Sequence, residues 1–318
     1  MPKICFLDSK TIGKDIDLSI LNELGDVTIY EETSPEEVVE RIKEQDIVIT
    51  NKVILNSSNL SQAKNLKLIC ITATGTNNVD LNYTKEHGIV VTNVAGYSTH
   101  SVIQHTFAMA FYLIEHLSYY DQYVKSKEYC NNDIFTHIGK PFYELKGKTW
   151  GIIGLGTIGQ GVAKIASAFG CNVIYYSTSG KNNNQPFTQV SLDTLLSTSD
   201  IISIHAPLNE KTNNLLTYNE LIKMKKSAIL LNLGRGNIVN EKDLAKALNN
   251  NIIAGAGLDV LSHEPMGKNN PLFSVENKEK LFITPHIAWA STEARSLLIK
   301  EVAENIRAFL KGEHRNRV

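Results

Sequence analysis

A glycine pattern formed by Gly154, Gly156 and Gly159 constrains the fold of this chain more than any other feature. It follows the apolar run 148–153 and opens a helical pattern at 158–169. A loop with this spacing occurs between strand and helix where the backbone turns tightly and comes close to a bound group. The first glycine makes the turn, the second gives access to a pyrophosphate, and the third packs helix on strand. The pattern therefore predicts a βαβ unit with a dinucleotide at the helix N-terminus.

Short β-branched runs recur along the rest of the chain and alternate with helical stretches, which predicts parallel βαβ units. The first part of the chain has predicted strands at residues 3–7, 26–30, 47–50, 68–71 and 89–92. The second part has six, at residues 148–153, 172–176, 201–204, 228–231, 255–258 and 281–283. Six such strands are typical of a full doubly wound dinucleotide domain.

Helical patterns lie between these strands. One is expected near residues 17–24, and another begins with Ser34 as its cap and a proline in its first turn. A long helical pattern at 98–125 links the two parts of the chain, and an amphipathic helix is predicted at 291–310. That last helix comes too late to belong to the crossover of the sixth strand. It is therefore predicted to return to the first domain.

This return makes the first domain discontinuous. We expect a first domain formed by residues 1–97 plus 291–318 and a second, dinucleotide-binding domain at 98–290. The fold class predicted from the alternation is α/β, with two doubly wound parallel sheets.

Charge and composition exclude several classes of function. Lys and Arg total 32 against 33 for Asp and Glu. The net charge of −1 lacks the excess of positive charge expected of a protein that binds nucleic acid or an anionic membrane. No apolar stretch reaches the roughly 18 residues of a membrane span, and the N-terminus resembles a strand and not a signal peptide. The 4 cysteines are scattered without a CxxC pair, which favours reduced thiols. We expect a soluble cytoplasmic protein without a metal site.

Three polar residues stand out because each occurs at the end of an apolar strand or in the turn after it. Arg235 lies between two glycines, Glu264 precedes a proline, and His286 follows a Thr-Pro pair. Individually, these residues can be a paired arginine, a helix-cap acid and a core histidine. Together with a dinucleotide they supply what hydride transfer to a 2-keto acid requires: a guanidinium for the carboxylate, an imidazole for the keto oxygen, and a carboxylate that favours the imidazolium.

The position after the second strand of the dinucleotide domain departs from the usual pattern. NAD-binding loops commonly place an acid there to hold the ribose hydroxyls, whereas this chain has Ser177. The hydroxyls of residues 177–179 and the Lys181 ammonium can instead bind a 2′-phosphate. The alternative is an ordinary polar loop with Lys181 in solvent. Both NAD and NADP therefore remain open as cofactors.

Taken together, these motifs resemble the D-isomer-specific 2-hydroxyacid dehydrogenases over essentially the full chain. The matching motifs are residues 154–163, 232–236, 257–260, 264–265 and 284–286. Within the family, residues 73–80, 93–98 and 288–291 are most similar to glycerate dehydrogenases, also called hydroxypyruvate reductases. The resemblance implies a flavodoxin-like substrate domain, a Rossmann dinucleotide-binding domain and a homodimer.

The resemblance also implies roles for individual residues. Backbone amides of Ala73, Thr74 and Gly75, with the Arg235 guanidinium, are expected to hold the substrate carboxylate. His286 is expected to donate a proton to the keto oxygen, with Glu264 holding it. Asp259 is expected to meet the nicotinamide carboxamide. The remaining expected cofactor contacts are Thr74, Gly154, Gly156, Thr157, Ile158, Gly159, Ser177, Ala206, Pro207, Leu233 and Gly234.

The implied reaction reduces a small 2-keto acid with NADH or NADPH to the D-2-hydroxy acid, and hydroxypyruvate to D-glycerate is the expected case. Alternatives are enzymes of the glyoxylate, D-lactate or phosphoglycerate type and a nucleotide-sensing corepressor. A formate dehydrogenase shares the fold, but it needs no acid beside the histidine, and Glu264 argues against it.

Overall fold

The computed structural model describes residues 1–181 and 185–318. The chain divides into two compact units, one formed by Met1–Ser98 with Ala290–Val318 and the other by Thr99–Trp289. Both predicted domain boundaries, 97/98 and 290/291, lie one residue from these divisions.

The first unit contains a parallel sheet with the strand order β2-β1-β3-β4-β5. Its strands are β1 Lys3–Phe6, β2 Asp26–Ile29, β3 Ile47–Thr50, β4 Leu68–Ile71 and β5 Val90–Thr92. Its first helices are α1 Val38–Ile42, α2 Ser57–Leu60 and α3 Leu81–Glu86. This is the flavodoxin-like order, in which the sheet is extended on both sides of the first strand. The predicted fold class of this unit is confirmed.

Two helix predictions in the first unit were wrong. The helix expected near residues 17–24 is only a 3-10 turn at Ser19–Leu21. Here the Asp17 carboxylate accepts hydrogen bonds from the Ser19 amide and hydroxyl, a local bond that competes with helix formation. Ser34 does not cap α1, which begins four residues later at Val38, because residues 35–37 form a turn before the helix.

In the described residues of the second unit, 99–181 and 185–289, the strands form a parallel sheet with the order β12-β11-β10-β9-β6-β7-β8. The strands are β6 Thr149–Ile153, β7 Asn172–Tyr176, β8 Thr188–Gln189, β9 Ile201–Ile204, β10 Ile229–Asn232, β11 Gly255–Leu258 and β12 Leu281–Ile283. The order is that of a Rossmann domain, in which the first strand, β6, lies between β9 and β7. β8 was not predicted, because its two exposed polar residues carry no hydrophobic alternation.

The helices of the second unit lie between these strands, except for the first two, which precede the sheet. They are α4 Thr99–Ile114, α5 Leu117–Lys125, α6 Thr157–Ala168, α7 Leu192–Thr198, α8 Tyr218–Leu221 and α9 Glu241–Asn249. The single helix predicted at 98–125 was wrong, since His116 has a left-handed backbone with φ of 51° and separates α4 from α5. A right-handed helix does not continue through such a residue.

The last helix, α10 Thr292–Leu310, belongs to the first unit. Ser291 caps it by accepting a hydrogen bond from the Ala294 amide at 3.2 Å. One face of the helix is buried and packs against β4, with Leu298, Val302 and Ile306 among its buried residues.

The central strands β9, β10 and β11 of the second unit are buried along their whole length. This explains their continuous apolar sequences, because a parallel sheet covered by helices on both faces excludes water from every position. Ligands bind at the carboxyl edge of such sheets, where the strands end. None of the described helices is long and apolar enough to cross a membrane.

Candidate active site

The glycine loop joins β6 to α6, and its three glycines differ in the space that surrounds each of them. Gly154 has a left-handed backbone with φ of 91°, and a Cβ there would lie 2.9 Å from the Ala206 backbone. A Cβ on Gly159 would lie 2.3 Å from the Gly154 carbonyl oxygen, so this glycine lets the helix approach the turn. At Gly156 a Cβ would meet nothing within 4 Å. The protein's own packing therefore does not require glycine at 156, and the free space suits a bound group.

The segment after β9 lies beside this turn. The His205 amide donates to the Ile153 carbonyl oxygen at 2.8 Å, and Ala206 and Pro207 follow. Both ring nitrogens of His205 are buried without a hydrogen-bond partner among the described residues, and burial lowers the pKa of His205 to about 3. Its imidazole is therefore neutral near pH 7 and offers one donor and one acceptor. Sequence reasoning missed His205, although it directly precedes the predicted Ala206 contact.

These features fit a dinucleotide. The Gly156 position leaves space at the start of α6, where Thr157 and Ile158 are the first helical residues. The first amides of an α-helix have no partner within the helix, and they favour an anionic group such as a pyrophosphate.

The loop after β10 presents Arg235 and is fixed by Asn232. The Asn232 side chain accepts from the Gly234 amide at 3.1 Å and donates to the Arg235 carbonyl oxygen at 2.9 Å. Leu233 and Gly234 are buried, and a Cβ on Gly234 would lie 2.8 Å from the Ala206 carbonyl oxygen. The loop therefore lies directly on the segment after β9. Arg235 itself is exposed, and its Nη1 donates to the Gly234 carbonyl oxygen at 2.8 Å.

Close packing brings the Arg235 loop against the loop that carries Glu264. A Cβ on Gly236 would lie 1.9 Å from the Leu261 carbonyl group, so only glycine fits there. Buried Glu241, which sequence reasoning missed, holds the second loop by accepting from the Ser262 amide and the Asn270 side chain. Since Glu241 is an acid at the first position of α9, its sequence signal is that of an ordinary helix-start residue.

Glu264 and His286 form a hydrogen-bonded pair. The Glu264 Oε2 atom lies 2.7 Å from His286 Nδ1, and the side chains are 35% and 30% exposed. Glu264 Oε1 accepts from the Leu261 amide at 2.9 Å, which fixes the carboxylate. Because the carboxylate occupies Nδ1, the Nε2 atom is the ring nitrogen left for a ligand. A carboxylate in this position fixes the ring orientation, and an imidazole can transfer a proton through its other nitrogen.

The turn that carries His286 is held from inside the unit by Asp259. His286 has a left-handed backbone with φ of 55°, a conformation that costs a non-glycine residue roughly 1–2 kcal/mol. The Asp259 carboxylate accepts from the Ile287 amide at 2.8 Å and the Ala288 amide at 3.0 Å, while its carbonyl oxygen accepts from the His286 amide at 2.9 Å. The Thr284 hydroxyl also donates to Asp259, at 2.7 Å. Asp259 is only 2% exposed, and its predicted contact with the nicotinamide stays a prediction.

In the loop after β7, serine hydroxyls accept hydrogen bonds from backbone amides of the same loop. Ser177 Oγ accepts from the Gly180 amide at 3.1 Å, and Ser179 Oγ accepts from the Lys181 amide at 3.2 Å. Ser179, Gly180 and Lys181 are exposed. The loop carries no carboxylate, in agreement with the sequence.

In the first unit, the predicted carboxylate-binding loop Ala73, Thr74 and Gly75 follows β4. The Thr74 hydroxyl donates to the Val94 carbonyl oxygen at 2.9 Å, and the Asn93 side chain donates to the Thr74 carbonyl oxygen at 2.7 Å. These bonds fix the loop at the carboxyl edge of its own sheet. Its role toward a substrate stays a prediction.

No group of three or more His, Cys, Asp or Glu side chains in the described residues is arranged to hold a metal ion. The polar groups of the second unit converge instead at the carboxyl ends of β6, β9, β10, β11 and β12. They form a dinucleotide cradle next to an arginine and an acid-paired histidine. Such a fold and site define a pyridine-nucleotide oxidoreductase of the doubly wound class.

Comparisons with known proteins give the same result. Residues 107–288 match the family model described as "D-isomer specific 2-hydroxyacid dehydrogenase, NAD binding domain". The chain is 39% identical to a hydroxypyruvate reductase of Blautia hydrogenotrophica over 98% of this chain and 97% of that protein. It is 36% identical to a glycerate dehydrogenase of Methylorubrum extorquens over 99% and 98% of the two chains.

Among solved structures, an acyclic imino acid reductase in complex with NADPH and D-Arg superposes with a TM-score of 0.86. The two chains are 33% identical, and the match covers 99% of each. The chain belongs to the D-isomer-specific 2-hydroxyacid dehydrogenase family, and its second unit is the NAD-binding domain.

Proposed function

We propose that this protein reduces hydroxypyruvate to D-glycerate with NADH or NADPH. The observation that carries the proposal is the Glu264–His286 pair at 2.7 Å, with Arg235 on the neighbouring loop. The full-length similarity to a hydroxypyruvate reductase and a glycerate dehydrogenase supports the choice of substrate.

Each charged residue has a distinct proposed task. Arg235 binds the substrate carboxylate through two parallel hydrogen bonds, which a planar guanidinium forms well. His286 donates the proton that the keto oxygen takes up, through its Nε2 atom. Glu264 orients the ring through Nδ1. The backbone amides of residues 73–75 are proposed as a second contact for the carboxylate.

The proposed cofactor contacts lie mainly in the second unit. Thr157 and Ile158 donate backbone amides to the pyrophosphate where Gly156 leaves space. Ser177 faces the adenosine ribose. When bound, the reduced nicotinamide supplies the hydride. The other proposed contacts are Thr74, Gly154, Gly159, Ala206, Pro207, Leu233, Gly234 and Asp259.

A substrate panel tests the proposal. Initial rates are measured with hydroxypyruvate, glyoxylate, pyruvate and phosphohydroxypyruvate, each with NADH and with NADPH. We expect the highest kcat/KM with hydroxypyruvate. A higher value with another keto acid would assign the enzyme to the glyoxylate, D-lactate or phosphoglycerate type. Absence of turnover with every acid would favour a nucleotide-sensing protein.

One further arm of the panel follows from the similarity to an imino acid reductase. Each keto acid is also assayed with added ammonia or methylamine, which converts part of it to the imine. An enzyme that protonates a keto oxygen turns over without amine, and the amine is expected to add nothing. Turnover that depends on the amine would contradict the proposed substrate class.

We also propose a homodimer whose interface includes residues 117–142, together called the aromatic arm. Within the arm, Tyr123 stacks on His137 at 3.8 Å and Tyr119 shares a hydrogen bond with His137, so the segment folds on itself. It nevertheless leaves Phe135 91% and Ile138 83% exposed. Large exposed apolar side chains in one segment are typical of an interaction surface, and an isologous contact between two copies would cover them. Sedimentation of wild type and F135S tests this, with a dimer expected only for wild type.

A cytoplasmic location and the absence of nucleic-acid or membrane partners are part of the same proposal. Burial raises the pKa of the Cys5 and Cys70 thiols to about 12, and that of Cys171 to about 11. All four cysteines are free, which suits a reducing compartment. The balanced charge of 32 basic and 33 acidic residues favours a small-molecule partner over a polyanion.

A further inference from the structure

Helix α4 places a second histidine against the turn that carries His286. His105 Nε2 lies 3.1 Å from the Thr284 hydroxyl oxygen and 3.8 Å from Asp259 Oδ1. Its side chain is 20% exposed. Both distances join atoms of the second unit, and neither the glycine loop nor the Glu264–His286 pair accounts for this histidine.

The hydrogen-bond directions in this group follow from proton counting. The Thr284 hydroxyl has one proton and donates it to Asp259 Oδ1 at 2.7 Å. Toward His105 the same oxygen must therefore accept, so the Nε2 atom of His105 carries a proton and donates. Burial lowers the pKa of His105, while the Asp259 charge opposes this shift. The donor role of Nε2 follows from the geometry alone, since the Thr284 hydroxyl proton is already used.

The Asp259 carboxylate connects His105 to the backbone of the catalytic turn. His105 donates to Thr284, Thr284 donates to Asp259, and Asp259 also accepts from the amides of Ile287 and Ala288. These amides directly follow His286, whose left-handed backbone persists only where surrounding contacts determine it. Asp259 is buried, so its orientation depends on these donors.

We propose that His105 is a positioning residue for His286, acting through Thr284 and Asp259 to fix the left-handed turn. This inference rests on the proposed role of His286 as proton donor. His105 reaches the turn from α4, 179 residues earlier in the chain than Thr284. It therefore ties the helix that begins the second unit to the turn after its last strand.

The first test compares His105→Leu, which removes the donor, with His105→Gln, whose amide can donate from a similar position. Loss of one buried hydrogen bond is expected to lower kcat for the keto acid about tenfold in His105→Leu. The Michaelis constant for the reduced cofactor stays near the wild-type value, and His105→Gln recovers most of kcat. Gln104→Leu is the matched control, because it alters an exposed residue on the same helix. Its kcat is expected to equal that of wild type.

A double-mutant cycle tests whether the residues act in one chain. If His105 acts through Thr284, then His105→Leu combined with Thr284→Val is no slower than Thr284→Val alone. If kcat of the double variant falls by the product of the two single-variant factors, the proposal is contradicted. Equal kcat in His105→Leu and His105→Gln would also contradict it.

Amide hydrogen exchange supplies a readout that does not depend on activity. The Ile287 and Ala288 amides are expected to exchange faster in His105→Leu than in wild type or Gln104→Leu. Unchanged exchange together with wild-type kcat overturns the role of His105, even if His286→Ala is inactive. An active His286→Ala variant instead overturns the proposed proton donor, and exchange alone then decides whether His105 holds the turn.

Discussion

The turn at residues 284–288 and the loop at residues 177–181 both follow strands at the carboxyl edge of one sheet, yet they are held in different ways. The first depends on a buried carboxylate that accepts from two backbone amides and one hydroxyl. The second depends on its own serine hydroxyls, in an exposed segment. The first is fixed by distant parts of the sequence, whereas the side-chain hydrogen bonds seen in the described part of the second join residues within the loop.

This difference separates two tasks. A general acid must be held within a narrow range of positions, and a network of buried bonds supplies that precision. Discrimination between two cofactors that differ by one phosphate needs only a charge or a hydroxyl near the ribose. We therefore expect substitutions in the 284–288 turn to cost large factors in turnover, and substitutions in the 177–181 loop to change preference with little loss.

The largest effect is expected for His286→Ala. Removal of a general acid typically costs roughly 10²- to 10⁴-fold in rate. Steady-state turnover of hydroxypyruvate measures the loss, and titration of cofactor fluorescence checks that the reduced cofactor still binds. His314→Ala, on an exposed histidine of the first unit, serves as the control. Near-native turnover in His286→Ala would refute the assignment.

A smaller, selective effect is expected for Arg235→Lys. An ammonium cannot form the two parallel hydrogen bonds of a guanidinium, and their loss corresponds to roughly ten- to a hundredfold in binding. The Michaelis constant for the keto acid should rise by that factor, while the constant for the cofactor changes little. Equal increases in both constants would indicate a folding defect in the loop that Asn232 holds.

A moderate loss of turnover is expected for Glu264→Gln. The Glu264 carboxylate holds His286 Nδ1 at 2.7 Å, and hydrogen bonds to a charged group are roughly twice as strong as those to a neutral amide. We expect kcat for hydroxypyruvate to fall about tenfold while the Michaelis constant for the cofactor stays near the wild-type value. A wild-type kcat in Glu264→Gln would leave Glu264 as a structural acid.

The smallest loss of activity is expected at Ser177. Wild type should use NADPH with an efficiency within about two orders of magnitude of NADH, because one charged contact is worth roughly 1.5–3 kcal/mol. Ser177→Asp should move the preference toward NADH by about tenfold or more, since it adds a ribose acceptor and repels a 2′-phosphate. Ser177→Asn, of similar size but neutral, separates charge from volume. If the efficiency of wild type with NADPH is a thousandfold or more below that with NADH, another group must exclude the 2′-phosphate from the ribose site.

Much of this architecture was predictable, because strands buried on both faces have continuous apolar sequences and the glycine loop fixes one βαβ unit. The bounds predicted for β3, β4, β9, β11 and β12 agree with the structure. The break at His116 was not predicted, since no glycine or proline marks it in the sequence. The exposed two-residue strand β8 likewise has too little pattern to detect.

The residues of the candidate site also divide into those that could be predicted from the sequence and those that could not. Arg235, Glu264 and His286 were found because a polar residue in an apolar strand-and-turn context is conspicuous in a sequence. His105, Glu241 and His205 were not, because each is one polar residue within or beside a regular element, and only the fold reveals its environment. Asp259 was found, but its hold on the His286 turn depends on a register between β11 and β12 that the sequence does not state.

The configuration of the product tests the central claim most directly, since Arg235 and His286 are proposed to hold the keto acid with one face toward the nicotinamide. Hydroxypyruvate is reduced to completion with excess reduced cofactor, and the glycerate is resolved by chiral chromatography. We expect D-glycerate as the sole enantiomer. L-glycerate, or a mixture of the two, would contradict the proposed arrangement of the substrate between the guanidinium and the imidazole.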